Sequence, residues 1–283
     1  MSNKNFRERN VEIFEDTARR CHENARLSRS IANSMKLERF TGAGECVDAG
    51  NLNVFADPAC IRVSKKRTFE AAEAYAGTKV AVLNFASASS PGGGVEEGAG
   101  AQEESLCRCS TLFDCLSTKK MAELFYKPHR RNRTPLHNDD CIYTSGVTVF
   151  KTDTVFPELR DESEWFDVDV ITCAAPNLRY CSRSGDRYVD NFSEITVSDA
   201  ELKQLHKQRL RRILDLAVMN KVESVVLGAF GCGAFRNDPR IVAEATVETI
   251  ADYRYAFRNI EFAVYCRPED DLNYRVFGDA LLK

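Results

Sequence analysis

Two adjacent carboxylic acids, Glu103 and Glu104, end a glycine-rich stretch, "SPGGGVEEGAGAQEES", residues 90–105. Gly92, Gly93 and Gly94 follow Pro91, and Gly98 and Gly100 precede Gln102. Glycine has no Cβ and reaches positive φ at little cost, so such a backbone can lie close against a ligand. Successive N–H groups in a turn of this kind form a nest for anions. Acids suit the first turn of a helix for its dipole alone; at the end of a ligand-holding loop they gain a second use. Neighbours on a helix point about 100° apart, so the two carboxyl groups serve different atoms. One can hydrogen-bond sugar hydroxyls, and the other can protonate a leaving-group oxygen. Two acids held close together raise the pKa of at least one of them, and burial adds to the rise. A carboxylic acid still protonated near neutral pH is what acid-assisted cleavage of a glycosidic bond requires.

A second glycine turn, "VVLGAFGCGAF", residues 225–235, precedes a helix start at Asp238-Pro239. It suits a pyrophosphate cradle, because a helix N-terminus adds partial positive charge to a row of backbone N–H groups. Neither loop carries the Lys-Ser/Thr of a P-loop, and neither follows the G-x-G-x-x-G dinucleotide pattern closely. A diphosphate nest beside a proton-donating acid points to a nucleotide-sugar linkage. No well-separated second carboxylate stands out as a base.

The bulk numbers exclude several classes. The 283 residues are 43% hydrophobic and 29% charged, as in a globular chain with a sizeable core. A net charge of −3 argues against a protein that coats nucleic acid or a membrane surface. A polyanionic ligand would rest on backbone N–H groups and a few local cations. The N-terminus is charged throughout, and no run of eighteen apolar residues occurs, so neither a signal peptide nor a membrane span is expected and the cytoplasm is the expected location. The eleven cysteines sit mostly in apolar runs and read as reduced, buried thiols. Cys107-Arg108-Cys109 has the wrong spacing for a zinc site, and His22, His129, His137 and His206 do not cluster with cysteines. No metal or cofactor is expected.

The elements that must position these residues alternate. Residues 4–40 read as helical and "TGAGECVDAGN" as a connection. "CIRVS" is a strand, "TFEAAEAYAG" a helix with Thr68 as N-cap, and "KVAVLNFAS" a buried strand that enters the first glycine loop. "QEESLCRCSTLFDCLS" is an amphipathic helix. Residues 127–140 read as loop, "CIYTSGVTVFKT" and "FDVDVITCAAPN" as strands, and 177–197 as a long loop or flap. A helix follows over 198–220 with Ser198 as N-cap, then a strand into the second glycine loop, a helix to about Tyr255 and the strand "NIEFAVYCRP". Strands separated by helices predict an α/β fold with a mostly parallel or mixed sheet covered on both faces. Ligands bind such sheets at the carboxyl ends of the strands, and both glycine loops leave from those ends.

With these residues in view, "PGGGVEEGAGAQEES" resembles the signature of poly(ADP-ribose) glycohydrolases, three glycines followed, here after seven residues, by Gln-Glu-Glu. "VLNFASASSPGGG", "VITCAAPN" and "LGAFGCGAFRNDP" resemble the bacterial-type members, and the resemblance runs over about residues 60–283. It implies a macrodomain-like three-layer α/β/α sandwich with a central mixed sheet at 46–283, behind an N-terminal helical extension at 1–45. It implies hydrolysis of ribose–ribose O-glycosidic bonds in ADP-ribose polymer without a metal. By motif position, Glu104 would be the general acid and Glu103 would hold ribose hydroxyls, supported by Gln102. Gly92, Gly93, Gly94 and Val95 would wrap the terminal ribose and diphosphate, Gly231, Cys232, Gly233 and Ala234 would cradle the diphosphate, Phe235 would press on the ribose, and Asn84 would stand near it. Cys232 has no base beside it in sequence, so its backbone N–H is its expected contribution. An aromatic between Tyr265 and Phe277 could stack on adenine. The implied partners are ADP-ribose polymer and poly(ADP-ribosyl)ated proteins, with no membrane, no direct nucleic-acid binding and a monomeric chain. Gly146 stands in "YTSGV" where the family commonly has proline. Two alternatives stay open: removal of single ADP-ribose units, and binding of ADP-ribose without hydrolysis.

Overall fold

The computed structural model describes residues 5–190 and 195–282. A seven-stranded mixed sheet forms its centre, in the order β1 (Arg39–Thr41), β4 (Cys141–Val149), β5 (Phe166–Cys173), β3 (Val80–Phe85), β9 (Ser224–Leu227), β10 (Asn259–Ala263) and β2 (Cys60–Ser64). The strands from β5 to β2 run parallel, while β4 is antiparallel to both β1 and β5. The carboxyl ends of β3, β5, β9, β10 and β2 therefore share one edge. Strand order reverses at β3, whose neighbours β5 and β9 follow it in the chain on opposite sides. Such a switch point opens a crevice, and both glycine loops leave the sheet there.

Each face of the sheet carries its own apolar core, because successive strand residues point to opposite sides. On β3, Ala81 and Leu83 join the core beneath α8 (Asp199–Met219), α9 (Pro239–Ile250) and α10 (Leu272–Leu281). Val80 and Val82 join the opposite core with α3 (Thr68–Ala72), α4 (Gln102–Cys109) and α5 (Leu112–Leu116). The chain after α5 runs through α6 (Lys119–Met121) and a π-helical turn into α7 (Lys127–Asn132).

Several expectations are refined. The N-terminal helical stretch is two helices, α1 (Phe6–Glu23) and α2 (Ala25–Leu37), because Asn24 leaves helical geometry and its side chain accepts from the N–H groups of Arg26 and Leu27. Within 102–117, the extended Ser110 divides α4 from α5, and its backbone bridges to Val149. Thr68 is the first residue of α3 rather than its cap. Part of the loop expected at 127–140 is α7, and about half of the one expected at 177–197 is a small antiparallel sheet of β6 (Cys181–Ser184), β7 (Arg187–Asp190) and β8 (Thr196–Ser198), with residues 191–194 outside the described chain. The C-terminal helix α10 carries Phe277 into the core, which removes that aromatic from reach of a ligand. Gly146 adopts φ +70° at a bulge in β4, where its N–H donates to Asp169, a bond that proline could not make. Among the described residues, no helix is long and apolar enough to cross a membrane.

Candidate active site

A cavity of about 840 Å³ opens at the switch point. One wall is the first glycine loop and the start of α4; the other is the second glycine loop. Glu103 and Glu104 are both buried, yet both line the cavity. They converge on Gly93: a methyl group there would sit 2.5 Å from Glu104 Oε1 and 3.2 Å from Glu103 Oε2. With φ +60° as well, this position admits glycine alone without strain.

The acids are held by backbone. Glu103 Oε2 accepts from Ser87 N at 2.7 Å, and Oε1 accepts from Asn84 Nδ2 at 3.3 Å. Glu104 Oε1 accepts from Gly94 N at 3.0 Å. Gln102 ties the helix to the strand that feeds the loop: Phe85 N donates to Oε1 at 2.9 Å, and Nε2 donates to Leu83 O at 2.8 Å and Thr68 Oγ1 at 3.0 Å. Burial pushes the Glu103 carboxyl up to about 8, with the neighbouring Glu104 charge adding to the rise and the Ser87 and Asn84 bonds opposing it. Glu103, raised in this way, is the member that the motif assigns to ribose hydroxyls.

The two loops use their N–H groups differently. In the first, Gly93 N donates to Ser90 O, Val95 N to Gly92 O and Gly94 N to Glu104, so the loop turns its donors inward onto itself and onto the acid. In the second, Asn237 is buried and Nδ2 donates to the carbonyls of Pro176, Gly231 and Phe235, while Oδ1 pairs with His206 Nε2 at 2.8 Å. Those bonds hold the carbonyls down. Among the described residues, the N–H groups of Gly231, Gly233, Ala234 and Phe235 have no acceptor. Gly231, at φ +81°, packs so close to Ala175 and Asn237 that a Cβ would meet them at 2.8 and 2.9 Å. The second loop is a set of preorganised donors without a partner, as an anion requires.

Of the residues singled out from sequence, Gly93, Gly94, Gln102, Glu103, Glu104, Gly231, Gly233, Ala234 and Phe235 line the cavity. Asn84, Gly92, Val95 and Cys232 stand behind it. Asn84 is fully buried, bridging Glu103 and Thr172 Oγ1; Gly92 packs on Phe113; Val95 is core; burial pushes the Cys232 thiol up, away from thiolate chemistry. At one end of the cavity Arg67 lies over the exposed Tyr265 ring at 4.1 Å, beside Thr68, Asp153 and Asn273. At the other stand His137, Asn177 and Arg179, whose Nε donates to Ala234 O at 3.0 Å. Burial lowers His137 to about 3, which keeps it neutral, and its backbone is left-handed at φ 55°. Arg67, His137 and Arg179 carry no motif that spacing could reveal; Asn177 closes "VITCAAPN", and Asn237 sits in "FRNDP" next to a helix start. Among the described residues, no group of three or more His, Cys, Asp or Glu side chains could hold a metal ion.

The first loop is braced from outside by α1. Asn10, fully buried, donates to Gly98 O at 3.1 Å, and Arg108 Nη1 donates to Ala99 O at 2.7 Å. Gly98, at φ +73°, lies so close to α1 that a Cβ would stand 2.2 Å from Arg7 O. Ala99 N in turn donates to Gly94 O, the residue that holds Glu104.

The family described as microbial-type PARG, catalytic domain, matches residues 8–152. The match begins inside α1, well before the region over which the sequence motifs resemble the family. The structure of poly(ADP-ribose) glycohydrolase from Thermomonospora curvata is similar to this chain with a TM-score of 0.79 and 28% identity over 97% of this chain and 100% of that one. The same enzyme bound to the inhibitor ADP-HPD matches with a TM-score of 0.79 and 29% identity, over 96% and 99%. Poly(ADP-ribose) glycohydrolase from Deinococcus radiodurans in complex with ADP-ribose matches with a TM-score of 0.71 and 30% identity over 88% and 96%. No curated protein matches the chain. Two glycine loops at a switch point, the paired acids between them, and a family match over half of the chain place this protein in the microbial-type PARG catalytic domain family.

Proposed function

We propose that this protein is a poly(ADP-ribose) glycohydrolase that removes ADP-ribose from the free end of the polymer, with Glu104 as general acid. The observation that carries the reading is the division of labour between the loops: one spends its N–H groups on its own carbonyls and, at Gly94, on the acid, and the other presents free N–H groups across the same cavity. The terminal diphosphate rests on the N–H groups of Gly231, Gly233, Ala234 and Phe235, with Cys232 behind them. Phe235 presses the terminal ribose toward Gly93 and Gly94, and Glu103, steadied by Asn84 and Gln102, holds its hydroxyls. Gly92 and Val95 set the turn. At neutral pH burial keeps a proton on Glu103, and that proton passes to the neighbouring Glu104 carboxylate before cleavage. Glu104 passes a proton to the 2′ oxygen of the next unit as the bond from that oxygen to the anomeric carbon breaks and its electrons leave with the oxygen. Charge on the anomeric carbon is balanced by the substrate's own diphosphate. Water then adds to that carbon and gives its proton to the Glu104 carboxylate.

We further infer that the sheet and its two helical layers form a macrodomain-like α/β/α sandwich at 46–283, to which β1 adds an edge strand from the N-terminal side of that boundary. In the N-terminal extension at 1–45, the described residues form α1, α2 and the edge strand β1, and α1 braces the first loop through Asn10 and Arg7. The reading takes the protein as a monomer acting on polymer and poly(ADP-ribosyl)ated proteins in the cytoplasm, a setting that suits its mostly buried thiols.

Release of ADP-ribose from purified polymer by the parent and by Glu104→Gln tests the assignment. The variant should lose about 10²–10⁴ in kcat, the usual contribution of a general acid, and bind ADP-ribose within a few-fold of the parent. Turnover that survives the substitution would remove Glu104 from the mechanism. Release from a singly ADP-ribosylated protein but not from polymer would replace polymer cleavage with single-unit removal, and tight binding without release from either would make the protein a reader.

A further inference from the structure

The 840 Å³ cavity receives one ADP-ribose unit, but a polymer continues past it, with two phosphate charges in each following unit. Three segments meet at the cavity end away from Tyr265, and backbone bonds tie them together. Asn177 N donates to Pro135 O at 2.7 Å, and Leu178 N donates to Phe235 O at 2.9 Å. Arg130 Nη1, on α7, reaches Ser89 O of the first glycine loop at 2.5 Å. The rim so formed runs from α7 through the 133–137 turn to 177–179 and on to 233–236.

The segments of this rim carry no acid of their own, in a chain that has more acids than bases, 42 Asp and Glu against 39 Lys and Arg; the acids at its edges are Glu123, near Lys127 and Arg131, and Asp199 and Asp238, which pair with Arg183. Lys127 to Asn138, Ala174 to Gly185 and Gly228 to Asn237 contain no Asp or Glu, yet they carry Arg130, Arg131, Arg133, Arg179 and Arg236, all exposed. Several surface cations elsewhere are consumed by acids: Lys203 and Lys207 pair with Glu248, Arg211 with Asp252, and Arg160 with Glu73. Among the described residues, the side chains of Arg131, Arg133 and Arg236 make no ion pair and no hydrogen bond. Arg133 and Arg236 also hold left-handed backbone, at φ 53° and 58°, where a long cationic side chain gains nothing locally.

We propose that this arginine rim is a second binding surface, which holds the diphosphates of the polymer units that follow the one in the cavity. The inference rests on the polymer reading and adds the path of the chain. The scissile carbon lies at Glu104, and the terminal unit extends from it over the 231–235 loop. The departing chain therefore leaves on the other side of the bond, where Arg130 joins the Ser89 segment. Arginine suits the task, because its planar fork matches phosphate oxygens and it is less strongly hydrated than lysine. An overall negative charge of −3 keeps the rest of the surface from competing for the polymer.

The test is a triple variant, Arg131→Gln, Arg133→Gln and Arg236→Gln, in the full chain. All three side chains lie outside the cavity and bond to nothing in the fold. Hydrolysis is measured on polymers longer than ten units and on a two-unit substrate, at several salt concentrations. Loss of three phosphate contacts should raise KM for long polymer about tenfold and make the slope of log KM against log salt shallower by about 2, as counterion release requires. The two-unit substrate, which has a single following diphosphate, should lose much less than long polymer, and inhibition by ADP-ribose, which has none, should be unaffected. Equal losses on long and short substrates, or an unchanged salt slope, would overturn the rim. Failure of the parent itself to cleave either substrate would overturn the polymer reading instead; direct binding of long polymer to parent and triple variant would then still judge the rim.

Discussion

At the residue scale, the two acids differ by environment rather than by type. Glu103 is enclosed by Asn84, Ser87 and the start of α4, and burial outweighs the bonds that favour its charged form. A carboxyl raised from 4.5 to about 8 makes folding proton-dependent. Below pH 4.5 it is protonated in both folded and unfolded chains and costs nothing. As pH rises toward 8 the unfolded chain releases the proton and the folded one keeps it, so stability falls with pH and then levels off. Glu103→Gln removes this cost. The urea midpoint of the variant should gain on the parent between pH 5 and pH 9; a difference that stays constant with pH would show that Glu103 titrates normally.

At the scale of elements, the first glycine loop takes its shape from outside itself. Asn10, Arg108 and the close approach of Arg7 to Gly98 fix residues 98–99, and Ala99 passes that order to Gly94 and so to Glu104. Gly98→Ala adds a left-handed alanine, about 1–2 kcal/mol, and a collision with backbone that no side chain can yield to. It should destabilise the protein by more than about 2 kcal/mol and lower kcat more than it raises KM. Gly185→Ala is the control, since it has a similar φ of +60° and nothing within 4 Å of the added Cβ. Equal effects of the two substitutions, measured by urea unfolding and polymer hydrolysis, would mean that the contact with α1 does not order the loop. The second loop follows the same logic from within, with Asn237 and its His206 partner holding three carbonyls so that the donors face the cavity.

At the scale of the whole molecule, the N-terminal helices belong to the fold that carries the site. Cys21, Leu27 and Ile31 share a core with Phe150 and Trp165, and Phe14 enters the core beneath α4 and α5. Lys151, 2% exposed, pairs with Asp16 and donates to Ile13 O. Removal of residues 1–38 would leave that ammonium buried without a partner, a loss of about 3–5 kcal/mol before the exposed apolar surface is counted. The truncated chain should lack a cooperative thermal transition. A soluble fragment that unfolds cooperatively and cleaves polymer would show that the extension is dispensable.

Much of this architecture was legible in the sequence because its carriers are local. Buried strands such as "VAVLNF" are continuous apolar runs, Ser198 and Pro239 mark helix starts, and glycine triplets announce turns that other residues resist. The motif pointed to the paired acids and the two loops for the same reason: their spacing along the chain is itself the signal. Other features needed tertiary structure, because they depend on what lies across space. Which of two neighbouring acids is raised follows from burial by segments far from it in sequence. Asn10 and Gly98 are 88 residues apart, and His206 and Asn237 are 31 apart, so no local pattern records those pairs. The arginine rim is assembled from three segments that are unremarkable singly and gather their cations only when brought together. The sequence by itself determined the chemistry this protein can perform; the tertiary structure decided which donors stay free, which acid is raised and where charge collects, because burial and proximity are set only when the sheet brings the loops to one edge.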